Sequence, residues 1–334
     1  MKAAIYGAGS LGTILGAYIT KNGGQVDLIN RNRPHIEALK QNGATVTGYV
    51  NFNQKVNALY IEEMKDKYDC IFLMTKQQDN ENTVKFLKDY LADDGVIETM
   101  QNGLPEMLIG SIVGEDRVLG CTVAWGATML GPGVCELTSE PDTLTVSLGS
   151  LTAPSHPRIP EVKAMLELMG PVTVDDNFVG TRWSKLLINA AFSGMSTVLG
   201  CTFGQACSGL QQRKVVQKLM KECMDVCDKG GIKIEPVQGK DITKLFNFHG
   251  PVKKAFSLFL IPFAMKKHKS LKASMLQDIE KGKLTEVDSI NGSVCAYGRK
   301  IGFPTPANDK VVEIIHKIEK GELKPSMDNL KFIK

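Results

Sequence analysis

A glycine pattern near the N-terminus limits most strongly the folds open to this chain. It has the spacing G-x-G-x-x-G and reads Gly7-Ala8-Gly9-Ser10-Leu11-Gly12. A predicted strand over residues 2–6 precedes it and a predicted helix over 11–22 follows, the order found in dinucleotide-binding βαβ units. In such a loop the first glycine permits a tight turn, the second lets backbone approach a pyrophosphate, and the third allows the helix to pack closely on the sheet. The sequence therefore predicts a phosphate-binding loop made of these six residues.

Short apolar runs and helical patterns alternate through the first half of the chain. Strands are predicted at 25–29, 68–74, 96–100, 117–124 and 172–174, with helices at 34–42, 82–90 and 158–168. Alternating strands and helices indicate a parallel sheet covered by helices on both faces. The turn Gly131-Pro132-Gly133 predicts an antiparallel hairpin of residues 134–137 and 144–148 that closes this sheet.

The pattern becomes helical after Asp175-Asp176-Asn177. Helices are predicted at 179–199, 210–229, 286–301 and 306–320, with a broken helical stretch at 237–280. We therefore expect two domains, 1–176 and 177–334. The predicted fold class is α/β: an N-terminal Rossmann-type doubly wound sheet plus an all-α C-terminal domain.

Composition excludes several classes of protein. The 334 residues are 43% hydrophobic and 23% charged, which is unlike disordered or fibrous chains. The longest apolar stretch, residues 255–265, is far shorter than the roughly 20 residues of a membrane span. The eight cysteines form no C-x-x-C pair, so we expect reduced thiols in the cytoplasm and no metal site.

Charge is distributed unevenly between the two halves. Residues 1–176 contain 14 Lys and Arg against 22 Asp and Glu, a net −8, whereas 177–334 contain 26 against 14, a net +12. The +4 of the whole chain hides this asymmetry, which favours an anionic small molecule at the helical half. A basic, aromatic stretch at 253–272 is typical of helices with solvated lysines and buried aromatic rings. We expect no nucleic-acid or membrane partner, and a homodimer stays open.

The end of the second strand bears on the cofactor. Asn30-Arg31-Asn32-Arg33 stands where NAD sites present an acidic residue, and guanidinium groups suit a 2′-phosphate. This favours NADP(H), with Arg31 at the phosphate. Asp27 lies just upstream and would weaken the preference if it faced the ribose. The alternative for the two arginines is a solvated loop.

Polar residues also follow the next predicted strands. Thr75-Lys76 and Asn102-Gly103 come after two of them, and Gly126 after a third. Because ligands bind beyond the carboxyl ends of parallel strands, we expect Lys76, Asn102 and Gly126 near the same ligand. A strand-capping lysine and an Asn-Gly turn are the ordinary alternatives.

The first helix of the second half carries polar residues on a mostly apolar background. Lys185, Asn189 and Ser193 are spaced i, i+4, i+8 and so share one predicted face. A buried lysine paired with Glu286 would suit acid–base chemistry. The alternatives are a snorkelling lysine and an ordinary acid in the first turn of the helix at 286–301.

Several of these motifs together resemble the ketopantoate reductase family. They are the Gly7 loop, Thr75-Lys76, Gln101-Asn102-Gly103, Trp183-x-Lys185-x-x-x-Asn189, Ser274-Met275-Leu276-Gln277-Asp278 and Thr285-Glu286-Val287-Asp288-x-x-Asn291-Gly292, in order along nearly the whole chain. The resemblance implies NADPH-dependent reduction of the 2-oxo acid ketopantoate to pantoate, which feeds coenzyme A synthesis.

The resemblance also implies roles for individual residues. Lys185 matches the proton donor and Glu286 the acid beside it and the cofactor. Lys76 and Asn102 match residues at the nicotinamide end, and Asn189 and Ser274 match substrate ligands. Two positions depart from the pattern: Ser193 stands where pantoate-forming members have asparagine, and Phe203 lies near the position of another substrate asparagine.

These departures fall where the substrate tail is recognised, so two alternatives stay open. One is a D-2-hydroxyacid dehydrogenase of the same family that acts on another branched or aromatic 2-oxo acid. The other is a non-catalytic NADP-binding module.

Overall fold

The computed structural model describes residues 1–152, 156–237 and 239–333. The chain forms two compact units. The first consists of Met1–Gln101 and Pro105–Phe178, and the second of Asn102–Leu104 and Val179–Lys334. Each unit has its own hydrophobic core.

The first unit contains an eight-stranded sheet and a separate four-stranded sheet. The strands are β1 (Ala3–Tyr6), β2 (Val26–Ile29), β3 (Ala44–Gly48), β4 (Phe52–Gln54), β5 (Asn57–Leu59), β6 (Tyr68–Leu73), β7 (Leu91–Thr99), β8 (Val118–Val123), β9 (Ala127–Gly131), β10 (Val134–Leu137), β11 (Val146–Ser150) and β12 (Val172–Val174). The larger sheet has the order β12-β11-β8-β7-β6-β1-β2-β5 and is parallel except between β8 and β11. The chain order reverses between β1 and β6, which makes that edge the expected place for a ligand.

Helices cover both faces of this sheet. They are α1 (Ser10–Lys21), α2 (Arg33–Asn42), α3 (Asn80–Lys88), α4 (Glu106–Val113) and α5 (Ile159–Leu166). Successive strand residues point to opposite faces, so Ile5 packs in the core with α1, α2 and α5, and Ala4 in the core with α3 and α4. This confirms the predicted doubly wound sheet.

The predicted hairpin is wrong. The turn at 131–133 joins β9 to β10, and β10 pairs with β9 and β3 in the smaller sheet, of order β4-β3-β10-β9. Strand β11 pairs instead with β8 in the larger sheet, because the one-turn helix Pro141–Thr143 separates it from β10. Strands β4 and β5 were not predicted, since each has only three residues and contains an asparagine, a residue depleted in strands.

The second unit is helical. Its helices are α6 (Phe178–Ile188), α7 (Gly194–Leu199), α8 (Phe203–Ala206), α9 (Leu210–Lys229), α10 (Ile242–Phe246), α11 (Pro251–Ala264), α12 (Ser274–Glu280), α13 (Asn291–Lys300) and α14 (Pro306–Glu319). A π-helical segment, Asn189–Ser193, connects α6 to α7, so the predicted helix over 179–199 is continuous but not regular. The all-α prediction for this half is confirmed.

Two local predictions in this unit are wrong. The helix predicted from Glu286 begins at Asn291, because residues 285–290 form tight turns in which the Ser289 and Ile290 N–H groups donate to the Glu286 carbonyl. The aromatic residues of the basic stretch are not buried: Phe256, Phe259 and Phe263 are exposed on α11.

All eight cysteines are free and buried. No helix among the described residues has the length and hydropathy to cross a membrane.

Candidate functional site

The glycine-rich loop connects β1 to α1 at the carboxyl edge of the larger sheet. The Gly7 and Ala8 N–H groups donate to the Ile29 carbonyl at 2.9 and 3.0 Å, which ties the loop to the end of β2. Helix α1 has no side-chain cap and no acidic residue in its first turn. Its N-terminal N–H groups and positive dipole end therefore suit an anionic ligand.

The three glycines of the loop differ in their surroundings. Gly7 has φ +101°, and a Cβ there would lie 2.6 Å from the Thr75 nitrogen. A Cβ on Gly12 would lie 2.9 Å from the Gly7 carbonyl oxygen. Around Gly9 the nearest atom, the same oxygen, is 3.8 Å away. Packing therefore requires glycine at positions 7 and 12, whereas the backbone at Gly9 borders open space.

A buried histidine supports this loop from α2. The Gly133 N–H donates to His35 Nδ1 at 3.0 Å, so the neutral ring carries its proton on Nε2, which lies 3.0 Å from Thr13 Oγ1. Thr13 Oγ1 in turn donates to the Ala8 carbonyl at 3.3 Å. Burial lowers the pKa of His35 and keeps it neutral. Sequence reasoning missed His35, because a single histidine on a helix carries no signal.

The two arginines after β2 differ in their contacts. Arg33 pairs with Glu62 at 2.9 Å, and its guanidinium carbon lies 4.7 Å from the centre of the Tyr60 ring. Arg31 is exposed and forms no ion pair among the described residues. Burial raises the pKa of Tyr6, at the end of β1, and the nearby Arg31 charge opposes that shift.

Asp27 does not reach the carboxyl edge. It lies two residues before the end of β2, and its carboxylate accepts hydrogen bonds from Asn57 Nδ2 at 2.6 Å and Tyr68 OH at 2.8 Å. Tyr68 is the first residue of β6, at the opposite end of the strand from the loop. Asp27, the residue that would weaken the preference for NADP, is therefore bound to Asn57 and Tyr68 instead.

Gln101 joins the ends of β6 and β7. Its Nε2 donates to the Thr75 carbonyl and to Asn80 Oδ1, both at 2.7 Å, and Asn80 Nδ2 donates back to Gln101 Oε1 at 2.9 Å. Lys76 is exposed directly after Thr75. Gly126, between β8 and β9, donates its N–H to Ser139 Oγ at 3.0 Å, and a Cβ there would lie 2.8 Å from Thr138 Oγ1.

Two predicted site residues meet within the second unit. Asn102 Nδ2 lies 3.5 Å from Glu286 Oε2, although 184 positions separate the residues in the sequence. Glu286 is buried in the turn before α13, so the alternative of an acid in the first turn of a helix is wrong. Spacing along the chain gave no sign of this contact, because it depends on the tertiary fold.

The turn that carries Glu286 is fixed to the end of α14. Glu319 Oε1 accepts from the Thr285 N–H and hydroxyl, both at 2.7 Å, and His316 lies 2.8 Å from Glu319 and 2.9 Å from Asp288. Although burial lowers the pKa of His316, the two carboxylates raise it overall. Although burial raises the pKa of Glu319, hydrogen bonds from Thr285 and His316 lower it overall.

The helix from Phe178 carries the predicted proton donor. Lys185 and Asn189 are half-buried one turn apart, and Ser193 is buried. Between Asn189 and Ser193 the helix is π-helical, with turns that close between residues i and i+5. Such segments are frequent at functional sites.

A buried polar chain holds the π segment. Asn291 Nδ2 donates to the Ala190 carbonyl at 3.0 Å and to Asn308 Oδ1 at 2.9 Å. Asn308 Nδ2 donates to Glu222 Oε2 at 2.9 Å, and the Glu222 carboxylate also accepts from the Ala307 and Asn308 N–H groups at the start of α14. Burial raises the pKa of Glu222 despite these bonds.

The residues expected at the substrate tail lie on two other helices. Ser274 is exposed at the start of α12, and Phe203 opens α8. The Phe203 ring packs against that of Phe192 in the π segment, with 6.1 Å between ring centres. Phe192 directly precedes Ser193 in the sequence and is buried in the core of the second unit.

Comparison with known proteins gives consistent matches over both halves. Residues 3–150 match the family model "Ketopantoate reductase PanE/ApbA", and residues 177–319 match "Ketopantoate reductase PanE/ApbA C terminal". The chain belongs to the ketopantoate reductase family. It is thus an oxidoreductase of a family that uses a nicotinamide cofactor.

Relatives within this family align over almost the full chain. A 2-dehydropantoate 2-reductase of Pyrococcus horikoshii is 28% identical over 313 residues, 92% of this chain and 94% of the relative. Its counterpart in Streptococcus pyogenes serotype M3 is 27% identical over 319 residues, 95% and 97% of the two chains.

Solved structures share the fold. A D-mandelate dehydrogenase with NADH and anilino(oxo)acetate has a TM-score of 0.82 at 23% identity, covering 96% of this chain and 99% of the other. A PanE/ApbA family ketopantoate reductase from Ralstonia eutropha has a TM-score of 0.81 at 24% identity, with the same coverage.

Proposed function

We propose that this protein reduces 2-dehydropantoate (ketopantoate) to (R)-pantoate with NADPH, in the cytoplasm. The observation that carries the proposal is the 3.5 Å contact between Asn102 and Glu286, because it joins two distant motifs of the family in the unit that also presents Lys185. The overall reaction takes up one hydride and one proton, so that the 2-oxo group becomes a 2-hydroxyl group.

The first unit is proposed to hold the cofactor. Residues 7–12 would bind the pyrophosphate, and the open space beside Gly9 supports this fit. Arg31 would bind the 2′-phosphate, while Lys76 and Gly126 would lie along the remaining cofactor. When bound, NADPH supplies the hydride.

The second unit is proposed to hold the substrate and supply the proton. Negative charge develops on the carbonyl oxygen during reduction, and the Lys185 ammonium would both stabilise that charge and donate the proton. Glu286 would orient Lys185, and its contact with Asn102 supports a shared role for these two residues. Asn102, Asn189, Ser193 and Ser274 would hold the 2-oxo acid by hydrogen bonds.

A second candidate is supported by the Phe192–Phe203 pair. Phe203, which packs on the buried Phe192 ring, is apolar where the family resemblance expects a substrate asparagine nearby. The fold likeness to D-mandelate dehydrogenase agrees with a D-2-hydroxyacid dehydrogenase acting on a branched or aromatic 2-oxo acid.

A substrate panel separates the two candidates. Purified protein is assayed with NADPH and, in turn, ketopantoate, 2-oxoisovalerate and oxo(phenyl)acetate, with initial rates followed by the absorbance of NADPH. We expect the highest kcat/KM for ketopantoate, by at least about tenfold. A higher kcat/KM for either of the other acids would reject ketopantoate as the substrate and favour the dehydrogenase.

A further inference from the structure

A cavity of about 950 Å³ lies in the second unit between α9, α11 and the short helix Met327–Phe332. Its volume is within the range of cavities that hold drug-sized ligands. The described residues that line it include none of those proposed to bind the cofactor or the 2-oxo acid. The cavity is therefore separate from the candidate functional site, and reduction of a 2-oxo acid does not use it.

Hydrogen bonds fix the walls of this cavity. Gln217 of α9, which lines it, donates from Nε2 to the Lys254 carbonyl of α11 at 2.7 Å. The Ser326 N–H donates to the Val198 carbonyl of α7 at 3.2 Å, which holds the start of the short C-terminal helix. A cavity with fixed walls loses little conformational entropy when a ligand binds. We therefore expect the cavity to be formed before its ligand arrives.

The lining carries a large excess of positive charge. Glu222 is the acid among the described residues that line the cavity. Five lysines line it as well, namely Lys214, Lys218, Lys221, Lys254 and Lys331. A cavity lined by one sign of charge and bounded by low-dielectric walls concentrates ions of the opposite sign. The ligand that fits this lining is an anion.

Lysines from two different helices converge on one aromatic ring of the lining. The Nζ atoms of Lys221 and Lys254 lie 5.7 and 5.8 Å from the centre of the Phe248 ring. Lys221 also pairs with Asp225, whereas Lys214 and Lys254 form no ion pair within the part of the chain that the structure describes. An anion bound between α9 and α11 would therefore neutralise ammonium groups that repel each other.

Aliphatic side chains form the apolar part of the lining. They are Val215 on α9, Leu258 on α11, and Leu330 and Ile333 near the C-terminus. An aliphatic wall suits an aliphatic chain, whose burial removes apolar surface from water. Lysine ammonium groups are compact charges that bind phosphate groups. The lining therefore fits a phosphate ester with an aliphatic body.

We propose that this cavity is a regulatory site for a phosphate ester with an aliphatic body, and that its occupation weakens binding of the 2-oxo acid. Glu222 provides the connection, because it lines the cavity and accepts from Asn308 Nδ2 at 2.9 Å. Asn308 accepts from Asn291, which also donates to the Ala190 carbonyl of the π segment. Ala190 directly follows Asn189, a proposed substrate ligand. The effect on the 2-oxo acid rests on the proposed function, whereas binding of the ester does not.

The charge of Glu222 links occupation of the cavity to this polar chain. Burial raises the pKa of Glu222, while hydrogen bonds from Ala307 and Asn308 and the positive charge of Lys218 oppose the rise. A bound phosphate offsets the Lys218 charge and so favours protonation of Glu222. A neutral carboxyl group accepts hydrogen bonds less strongly than a carboxylate. Occupation therefore loosens Asn308 and, through Asn291, the π segment.

Isothermal titration calorimetry of the full chain with octyl phosphate tests the site. We expect a Kd below about 100 µM that weakens about three- to fourfold for each CH₂ group removed, down to butyl phosphate. Lys214→Ala and Lys254→Ala should each weaken binding at least about tenfold, because each removes one ammonium group from the lining. Lys229→Ala, at an exposed lysine in the last turn of α9, is the matched control and should bind octyl phosphate like wild type. Circular dichroism checks that the three variants fold.

The same titration with NADP⁺ and the preferred acid of the substrate panel tests the regulation. Because coupling between two sites is reciprocal, the saturating 2-oxo acid should weaken octyl phosphate binding at least about fivefold, and octyl phosphate should weaken binding of the acid by the same factor. Glu222→Gln should bind octyl phosphate and reduce this factor to less than about twofold. If Glu222→Gln does not fold, the reciprocal weakening in wild type decides the question.

Absence of octyl phosphate binding, or equal affinity for octyl phosphate and inorganic phosphate, would overturn the site. Loss of binding in Lys185→Ala instead of Lys214→Ala and Lys254→Ala would place the ester in the candidate functional site. Binding to phosphatidylglycerol vesicles without binding of octyl phosphate would assign the lysines to a lipid surface.

Octyl phosphate that binds and leaves the affinity for the 2-oxo acid unchanged would overturn the regulation. Failure of the proposed function is distinguishable from these outcomes. It would appear as absence of turnover with every acid of the substrate panel, whereas calorimetry with octyl phosphate alone does not depend on turnover.

Discussion

Lys185 is a half-buried cation on a helix whose neighbours Trp183, Leu186 and Leu187 are buried in the core. A lysine in such surroundings has lost part of its hydration, which costs free energy. Its ammonium group can stabilise a negative charge that develops on a bound substrate. The role proposed for Lys185 therefore depends on its charge and its reach, and less on packing.

We predict that Lys185→Ala lowers kcat by at least about 100-fold and leaves the Kd for NADPH within about threefold of wild type. Stopped assays with high enzyme concentration measure kcat, and nucleotide fluorescence measures Kd. Lys229→Ala, on α9, is the control and should retain wild-type turnover. Turnover of Lys185→Ala near that of wild type would remove Lys185 from the mechanism.

Arg33 forms an ion pair with Glu62, whereas the nearby Arg31 is exposed, and substitution can test this difference. We predict that Arg31→Ala raises the Kd for NADPH roughly 10- to 100-fold and leaves the Kd for NADH unchanged, because only NADPH has the 2′-phosphate. Arg33→Ala should change neither Kd by more than about twofold, since Glu62 already engages Arg33. Equal weakening of both cofactors by Arg31→Ala would contradict an interaction with the 2′-phosphate.

At the scale of elements, strands and helices with strong periodicity were predictable. Helix α9 and strand β12 occupy the predicted residues, and β1, β2 and β6 differ from prediction by one residue at an end. The smaller sheet was not predictable, because β3 pairs in it with β10, about 90 residues away in the sequence.

The parts of the candidate site that belong to sequence motifs were predictable. The parts that depend on tertiary packing were not. The loop at Gly7 and the motifs that contain Asn102 and Glu286 have sequence signals, whereas the contact between Asn102 and Glu286 has none. The π segment, the contact of His35 with Thr13 and the bonds from Thr285 to Glu319 have no sequence signal. Each depends on contacts between residues distant in sequence. Asn291 had a signal in its motif, but its bond to the Ala190 carbonyl is a tertiary contact.

Asn291 offers a test of the π segment. We predict that Asn291→Ala lowers the free energy of unfolding by about 2–4 kcal/mol and also raises the KM for the 2-oxo acid at least about tenfold. The stability loss follows from the buried hydrogen bonds that Asn291 Nδ2 donates to the Ala190 carbonyl and to Asn308 Oδ1. The KM effect follows from relaxation of the π turn that carries Asn189. Urea unfolding and steady-state kinetics measure the two quantities.

Asn329→Ala is the matched control for this prediction. Asn329 is also buried in the second unit and donates to the carbonyls of Val198 at 3.0 Å and Lys324 at 2.9 Å. Its loss should cost similar stability and leave KM unchanged. Equal KM values for the two variants would show that Asn291 acts on stability alone.

The contacts of His316 with Glu319 and Asp288 should make the stability of the second unit depend on pH. Because the pKa of His316 in the folded protein is raised above 6.5, its contribution is complete below that value and is lost as pH rises through the raised pKa. We predict that the difference in free energy of unfolding between wild type and His316→Gln shrinks measurably, by up to about 1 kcal/mol, from about pH 6 to about pH 8.5, since the side chain is more than one-third exposed.

Urea titrations at several pH values measure this difference. His249→Gln, in an exposed loop of the same unit, is the control for the loss of an imidazole outside this group of contacts. A difference in free energy of unfolding that stays constant across the pH range for His316→Gln would contradict a stabilising role for the contacts of His316 with Glu319 and Asp288.

For the whole molecule, the small net charge conceals opposite charges on the two halves. Residues 177–334, with a net +12, contain the lysine proposed as proton donor and most of the proposed substrate ligands. An excess of positive charge raises the local concentration of an anionic substrate, and salt screens this effect beyond about 10 Å at about 0.1 M ionic strength.

We predict that kcat/KM for the 2-oxo acid, at saturating NADPH, falls about five- to tenfold between about 20 and about 500 mM NaCl, mainly through KM. The neutral amide of the same 2-oxo acid is the control, because it keeps the reacting carbonyl and lacks the carboxylate charge. Its kcat/KM should vary by less than about twofold over this range. A parallel decline for acid and amide would place the salt effect on the protein itself and reject steering by the charge of residues 177–334.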